Sequence, residues 1–137
     1  MSKLINTPSV IIAFVGGIIS YGLGGWDKLL KVLVALVILD YITGILKAIY
    51  NKELSSEVGY RGIIRKILIF VVVATAYIIS KVFNDNVPLR DIAILFYASN
   101  EAISILENAA FFIPIPKKIK ELLAQLRNYT KDGKDGD

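Results

Sequence analysis

Asn100, Glu101, Glu107 and Asn108 stand inside an otherwise apolar stretch that runs from Leu89 to Lys118. Two carboxylates on one helix could act as an acid–base pair, line a path for ions, or hold helices together. The stretch is long enough to cross a bilayer, where each carboxylate near the centre costs about 2.5–3.5 kcal/mol on insertion scales. Such groups persist when they face a partner, a cavity or water. On a helical wheel Arg90, Tyr97, Asn100, Glu101, Ser104, Glu107 and Asn108 fall within an arc of roughly 120°. The opposite side is Ile, Leu, Ala and Phe. One face of this helix is therefore expected to meet something other than lipid. Catalysis by the Glu101–Glu107 pair is disfavoured, because no separate domain is left to bind a polymeric substrate.

The elements that must position these residues follow from composition. The chain has 137 residues, 55% of them hydrophobic, with a net charge of +4 and a mean hydropathy of +0.58. The apolar excess lies in blocks, and each membrane span needs roughly 20 residues. The expected architecture is an all-α integral membrane protein with about four transmembrane helices and a C-terminal amphipathic interfacial helix. The absence of Cys and His removes disulfides, thiolate nucleophiles, Cys/His metal sites and imidazole acid–base chemistry.

Residues 1–113 read as the transmembrane region, with spans at about 5–25, 28–50, 63–83 and 89–113. The first block lacks a cleavage-site pattern and reads as a retained span. Thr7-Pro8 suits a helix start. Gly16, Ser20 and Gly24 recur every fourth residue, as expected of a helix-packing stripe. In the second block Asp40, Gly44 and Lys47 share a face. Asp40 there is either a structural ion pair or a lining residue, and the structural role is preferred. Residues 51–62 read as a polar connection freed by Gly59 and Gly62, with Arg65 and Lys66 at the start of the third span. Residues 114–130 read as a basic amphipathic helix, with Ile119, Leu122, Leu123 and Leu126 on one stripe. Its Lys117, Lys118, Lys120 and Arg127 suit a surface of anionic membrane lipid. Residues 131–137 read as a disordered tail.

Charge orients the chain. With four spans, one side holds Lys3, Lys47, Lys52, Arg61, Arg65, Lys66, Lys117, Lys118, Lys120, Arg127, Lys131 and Lys134, whereas the other holds Lys28, Lys31, Lys81 and Arg90. Both termini are expected in the cytoplasm. If the first block does not span, only the N-terminus changes side. No phosphate-binding loop, nucleophile elbow, zinc-protease or dinucleotide motif occurs. The basic tail lacks interleaved aromatics and follows a span directly, so nucleic acid is not an expected partner.

Three motifs in order carry a family resemblance. They are Leu39-Asp40-Tyr41-Ile42-Thr43-Gly44, the run from Ser55 to Lys66 with Gly59, Gly62, Arg65 and Lys66, and Glu101 to Asn108 ahead of Pro114-Ile115-Pro116. Together they resemble the phage holin family that includes the clostridial toxin-secretion holins, over about Lys28 to Arg127. The resemblance implies a homo-oligomer in the bacterial cytoplasmic membrane that opens lesions for host lysis or protein release. An endolysin or a secreted toxin would cross without direct binding. It implies no enzymatic activity and no cofactor. In a closed state Glu101 and Glu107 would then be protonated, or paired with Arg90 or a neighbour's lysine. The polar face, with Asp40 and Gly44, would serve assembly or the opening. Two other readings stay open: a small ion channel or transporter subunit using the same carboxylates, and a membrane scaffold that passes nothing.

Overall fold

Side-chain caps set where the helices begin. In the computed structural model, which describes residues 6–122, 124, 125 and 128, Asn6 accepts from the Ser9 amide at 2.9 Å and opens α1 (Thr7–Gly22). Asp27 accepts from the Leu30 amide at 3.0 Å and opens α2 (Lys28–Tyr50). Ser55 accepts from the Val58 amide at 3.1 Å and opens α3 (Ser56–Val82). Each cap satisfies a donor that the first helical turn leaves unpaired. α4 (Leu89–Ala110) follows Pro88, with no side-chain cap. A further helical stretch begins at residue 117, after the Pro114–Pro116 break. No strand occurs among the described residues.

α3 begins earlier than its hydropathy suggests. The polar connection expected over 51–62 closes at Ser55, and Gly59 and Gly62 lie within the helix. Their role is close approach rather than backbone freedom: a Cβ on Gly62 would lie 3.2 Å from Tyr41 Cε2, and one on Gly59 3.4 Å from the Tyr41 hydroxyl. Capping by Ser55 overrides the polar composition of the first two turns.

Leu30, Leu33, Val37, Ile69, Val73, Ile94 and Ala98 form the core, together with Leu23 from the turn after α1. α4 packs along α2 and more briefly along α3, while α2 and α3 touch each other little. α2 and α4 start at the same end and run parallel, with α3 antiparallel between their ends.

The outer surface is apolar. α2 and α3 are long and apolar enough to cross a membrane, with only 17% and 11% of their apolar windows buried inside the protomer. A core helix of a soluble protein would be mostly buried, so these faces suit lipid. α1 is apolar but shorter: 16 residues reach about 24 Å at 1.5 Å per residue. α4 has the length but carries Arg90, Asp91, Glu101 and Glu107, and it falls outside the spanning criteria met by α2 and α3. α1 buries no residue. Gly16 has no neighbouring atom within 4 Å of a built Cβ, so the expected stripe packs on no helix of the same protomer. Gly24 lies beyond the end of α1, in the turn to α2. Its φ is +89°, and a Cβ there would meet Arg90 Nε at 2.6 Å and Tyr77 at 2.9 Å.

Gly24→Ala combines a left-handed backbone with that clash. It is expected to lower the stability of the folded protein in detergent by on the order of 2 kcal/mol. Gly25→Ala, with φ +102° but no atom within 4 Å, should cost less. Denaturant titration followed by circular dichroism measures both.

Candidate functional site

Two polar rungs join the parallel pair α2 and α4. The first rung lies at their N-terminal ends. The Arg90 guanidinium is bidentate on Asp27, at 2.8 and 3.0 Å. It also donates to the carbonyls of Leu23 and of Gly25, the latter at 3.1 Å, and to Asp91 at 3.2 Å. Asp27 thus caps α2 and anchors α4 with one carboxylate. Its exposed position keeps it near water, and the Arg90 hydrogen bonds hold its pKa below the ordinary aspartate value of 3.8. This clasp ties the α1–α2 turn to the start of α4.

The second rung lies about 18 Å further along both helices, since Asp40 and Glu101 are each twelve residues past the helix start at 1.5 Å per residue. Here α3 contributes Lys66. Its Nζ lies 2.6 Å from Asp40 Oδ2 and 2.8 Å from Glu101 Oε2. Asp40 is 9% exposed and Glu101 7%, and the Lys66 side chain is 14% exposed. Asn108 donates to Asp40 Oδ1 at 3.2 Å and to the Thr43 hydroxyl at 3.0 Å. Thr43 in turn donates to the Leu39 and Asp40 carbonyls, at 2.9 and 3.0 Å. Ser104, half-buried, lies one turn beyond Glu101 on the same face of α4. Every buried side-chain polar atom among the described residues has a partner, as low-dielectric surroundings require.

Asp40, Glu101, Ser104 and Asn108 are therefore brought together, with Gly44 beside Asn108: a Cβ on Gly44 would lie 3.7 Å from Asn108 Nδ2. Arg90 shares their helix face but serves the other rung. The expected Glu101–Arg90 pairing is replaced by Glu101–Lys66, because Arg90 is engaged eleven residues away. Tyr97 is half-buried against the core and stacks edge-on with Phe96 at 5.1 Å. Asn100 is half-buried beside them, and Ser20 is half-buried at the end of α1. Glu107 is exposed and lines a groove with Leu106, Ile115 and Lys120. Lys47 turns to Phe111, with Nζ 5.4 Å from the ring centroid. Lys117, Lys118 and Lys120 are exposed. Arg127, Leu123, Leu126 and the tail 131–137 lie outside the described residues.

Sequence reasoning missed Lys66, Thr43 and Asp27. A third span starting at Ile63, as hydropathy suggests, places Lys66 among the surface cations. Counted from the Ser55 cap, it sits in the third turn, level with Asp40 and Glu101. No group of three or more acidic, His or Cys ligands suited to a metal occurs among the described residues.

Comparison with known proteins adds what geometry alone does not give. Residues 17–128 match the sequence model of the bacteriophage holin family. The chain belongs to the bacteriophage holin family. An uncharacterized 14.9 kDa protein of Clostridium perfringens is 40% identical over 130 residues, covering 93% of this chain and 98% of its own. An uncharacterized protein of Listeria monocytogenes is 43% identical over 111 residues, covering 81% and 77%. A protein of Bacillus phage phi105 named a probable holin is 40% identical over 100 residues, covering 72% and 74%. No solved structure matches. Both rungs of this holin-family chain lie within the matched residues.

Lys66→Met would leave the buried Asp40 and Glu101 carboxyl groups without their cation. Breaking a buried pair by deleting one partner costs about 3–5 kcal/mol, so this variant should unfold at clearly lower denaturant than wild type, by circular dichroism in detergent. The Asp27 clasp has the acid-labile sign. Its carboxyl is held below its unfolded value, so its contribution is complete above 3.8 and is lost as pH falls through the lower folded value. Fluorescence of Trp26, the single tryptophan, should report an acid transition that Asp27→Asn abolishes.

Proposed function

We propose that this protein is a holin of the bacterial cytoplasmic membrane. Many copies assemble and open lesions through which an endolysin or a large toxin crosses, for host lysis or protein release. The observation that carries this reading is the family match over residues 17–128. The reading calls for four spans, with α1 and α4 crossing beside α2 and α3 and both termini in the cytoplasm. It calls for no enzymatic step and no cofactor.

The buried rung supplies a mechanism. A lesion wide enough for a folded protein needs many copies, because one small chain cannot line it. In the closed protomer Asp40, Lys66, Glu101 and Asn108 satisfy one another, and each protomer presents apolar faces to lipid. When α3 separates from α2 and α4 within an assembly, the same groups become a hydrated wall, and water replaces the partners they lose. Asn100, Ser104 and Glu107 extend that polar edge toward the cytoplasmic end of α4. The α1 stripe of Gly16 and Ser20 offers a packing face between copies. The exposed Lys117, Lys118 and Lys120, with Arg127, engage anionic lipid at the cytoplasmic surface.

Induction in bacteria with and without a co-expressed endolysin tests the reading. The expected outcome is an abrupt loss of membrane potential, followed by lysis only when the endolysin is present. Passage of ions without endolysin release would assign an ion channel instead, and no permeability change at verified expression would leave a scaffold.

A further inference from the structure

The second rung holds two carboxyl groups and a single ammonium. Asp40 Oδ2 and Glu101 Oε2 both contact Lys66 Nζ, at 2.6 and 2.8 Å. Both oxygens converge on one nitrogen, which places the two carboxyl groups side by side at Lys66. Ionised carboxylates are acceptors only, so a hydrogen bond between them requires a proton.

The other charged groups near the rung do not balance it. From α2, Lys47 lies over Phe111. From α3, Arg65 is exposed on the outer face, and Arg61 pairs with Glu57 at 2.8 Å. From α4, Arg90 serves the distant clasp, Glu107 is exposed, and Ser104 and Asn108 are neutral. With both acids ionised the rung would carry a net charge of −1, buried between helices whose outer faces are apolar. An uncompensated buried charge is the costly case, and a titratable group neutralises instead.

We propose that the closed protomer keeps one proton shared between Asp40 and Glu101, and that opening releases it to water. The proposal rests on the holin reading for its second half only. The closed rung is one carboxylate, one carboxylic acid and one ammonium, with no net charge. On hydration the acid becomes a carboxylate and its proton passes to the water that enters. A groove of about 240 Å³ between α2 and α3 lies beside the rung, lined by Tyr41, Ile42, Ile63, Ile67 and Phe70 with Lys66. Because the closed state binds one proton more than the open state, raising pH favours opening, by up to tenfold in the open-to-closed ratio per protomer and pH unit.

Infrared spectroscopy of the purified full-length chain in lipid bilayers at neutral pH tests the proton directly. The expected result is a carboxylic-acid C=O band that is lost in Glu101→Gln and in Asp40→Asn. A wild-type spectrum without such a band overturns the proposal, and so does a band that persists in both variants. If either variant fails to fold, titration of the wild-type band decides: loss on alkalinisation supports the shared proton, and a band that persists to alkaline pH overturns it; where endolysin-dependent lysis has been seen, band loss without faster dye release from vesicles overturns its release on opening. The band is a property of the closed protomer, so a protein that releases no endolysin would still show it. Failure of the holin reading and failure of the proton assignment are thereby separable.

Discussion

The Lys66 ammonium, held 2.6 Å from Asp40 and 2.8 Å from Glu101, joins α3 to the packed pair of α2 and α4. α2 and α3 pack on each other sparsely, so Lys66 is the main polar reason for α3 to stay beside α2. In lipid there is no hydrophobic drive between apolar helices, and polar contacts and close packing supply the association. Removing the ammonium would leave charges that neither lipid nor the core could accommodate. The small-residue contacts of Gly59 and Gly62 on Tyr41, and of Gly44 beside Asn108, set the spacing that the ion contacts need.

The clasp at the other end answers a different requirement. Arg90 reads the turn between α1 and α2 through two backbone carbonyls and one carboxylate. Gly24 and Gly25 adopt positive φ, which brings those carbonyls to the guanidinium. α1 is anchored at its end alone, since it buries nothing against the other helices. The protomer therefore combines a cross-linked three-helix unit with an apolar helix in which no residue is fully buried.

Polar satisfaction inside one protomer also changes how the polar face of α4 is understood. A stripe of polar residues on a membrane helix invites a reading as a ready-made pore wall. Arg90, Glu101 and Asn108 are instead consumed by α2 and α3, and the flanking Asn100 and Glu107 remain at the edge. Any hydration of this face would have to exchange these internal partners for water.

Much of this was legible in the chain. Block hydropathy finds four apolar segments, each of which holds a helix, and the wheel gathers Glu101, Ser104 and Asn108 on one face because helical period depends on local geometry alone. Asp40 was read as a structural partner, and the ordered motifs pointed to the family. Three things required the folded protein. The start of α3 depended on a Ser55 cap that hydropathy does not register. The pairing of Glu101 with Lys66 rather than Arg90 depended on which helix ends meet, which is a matter of topology and not of spacing. The emptiness around Gly16 depended on where α1 lies relative to the bundle. Periodicity and composition act within a segment and can be read one residue after another, whereas partner choice is settled by the packing of segments distant in sequence.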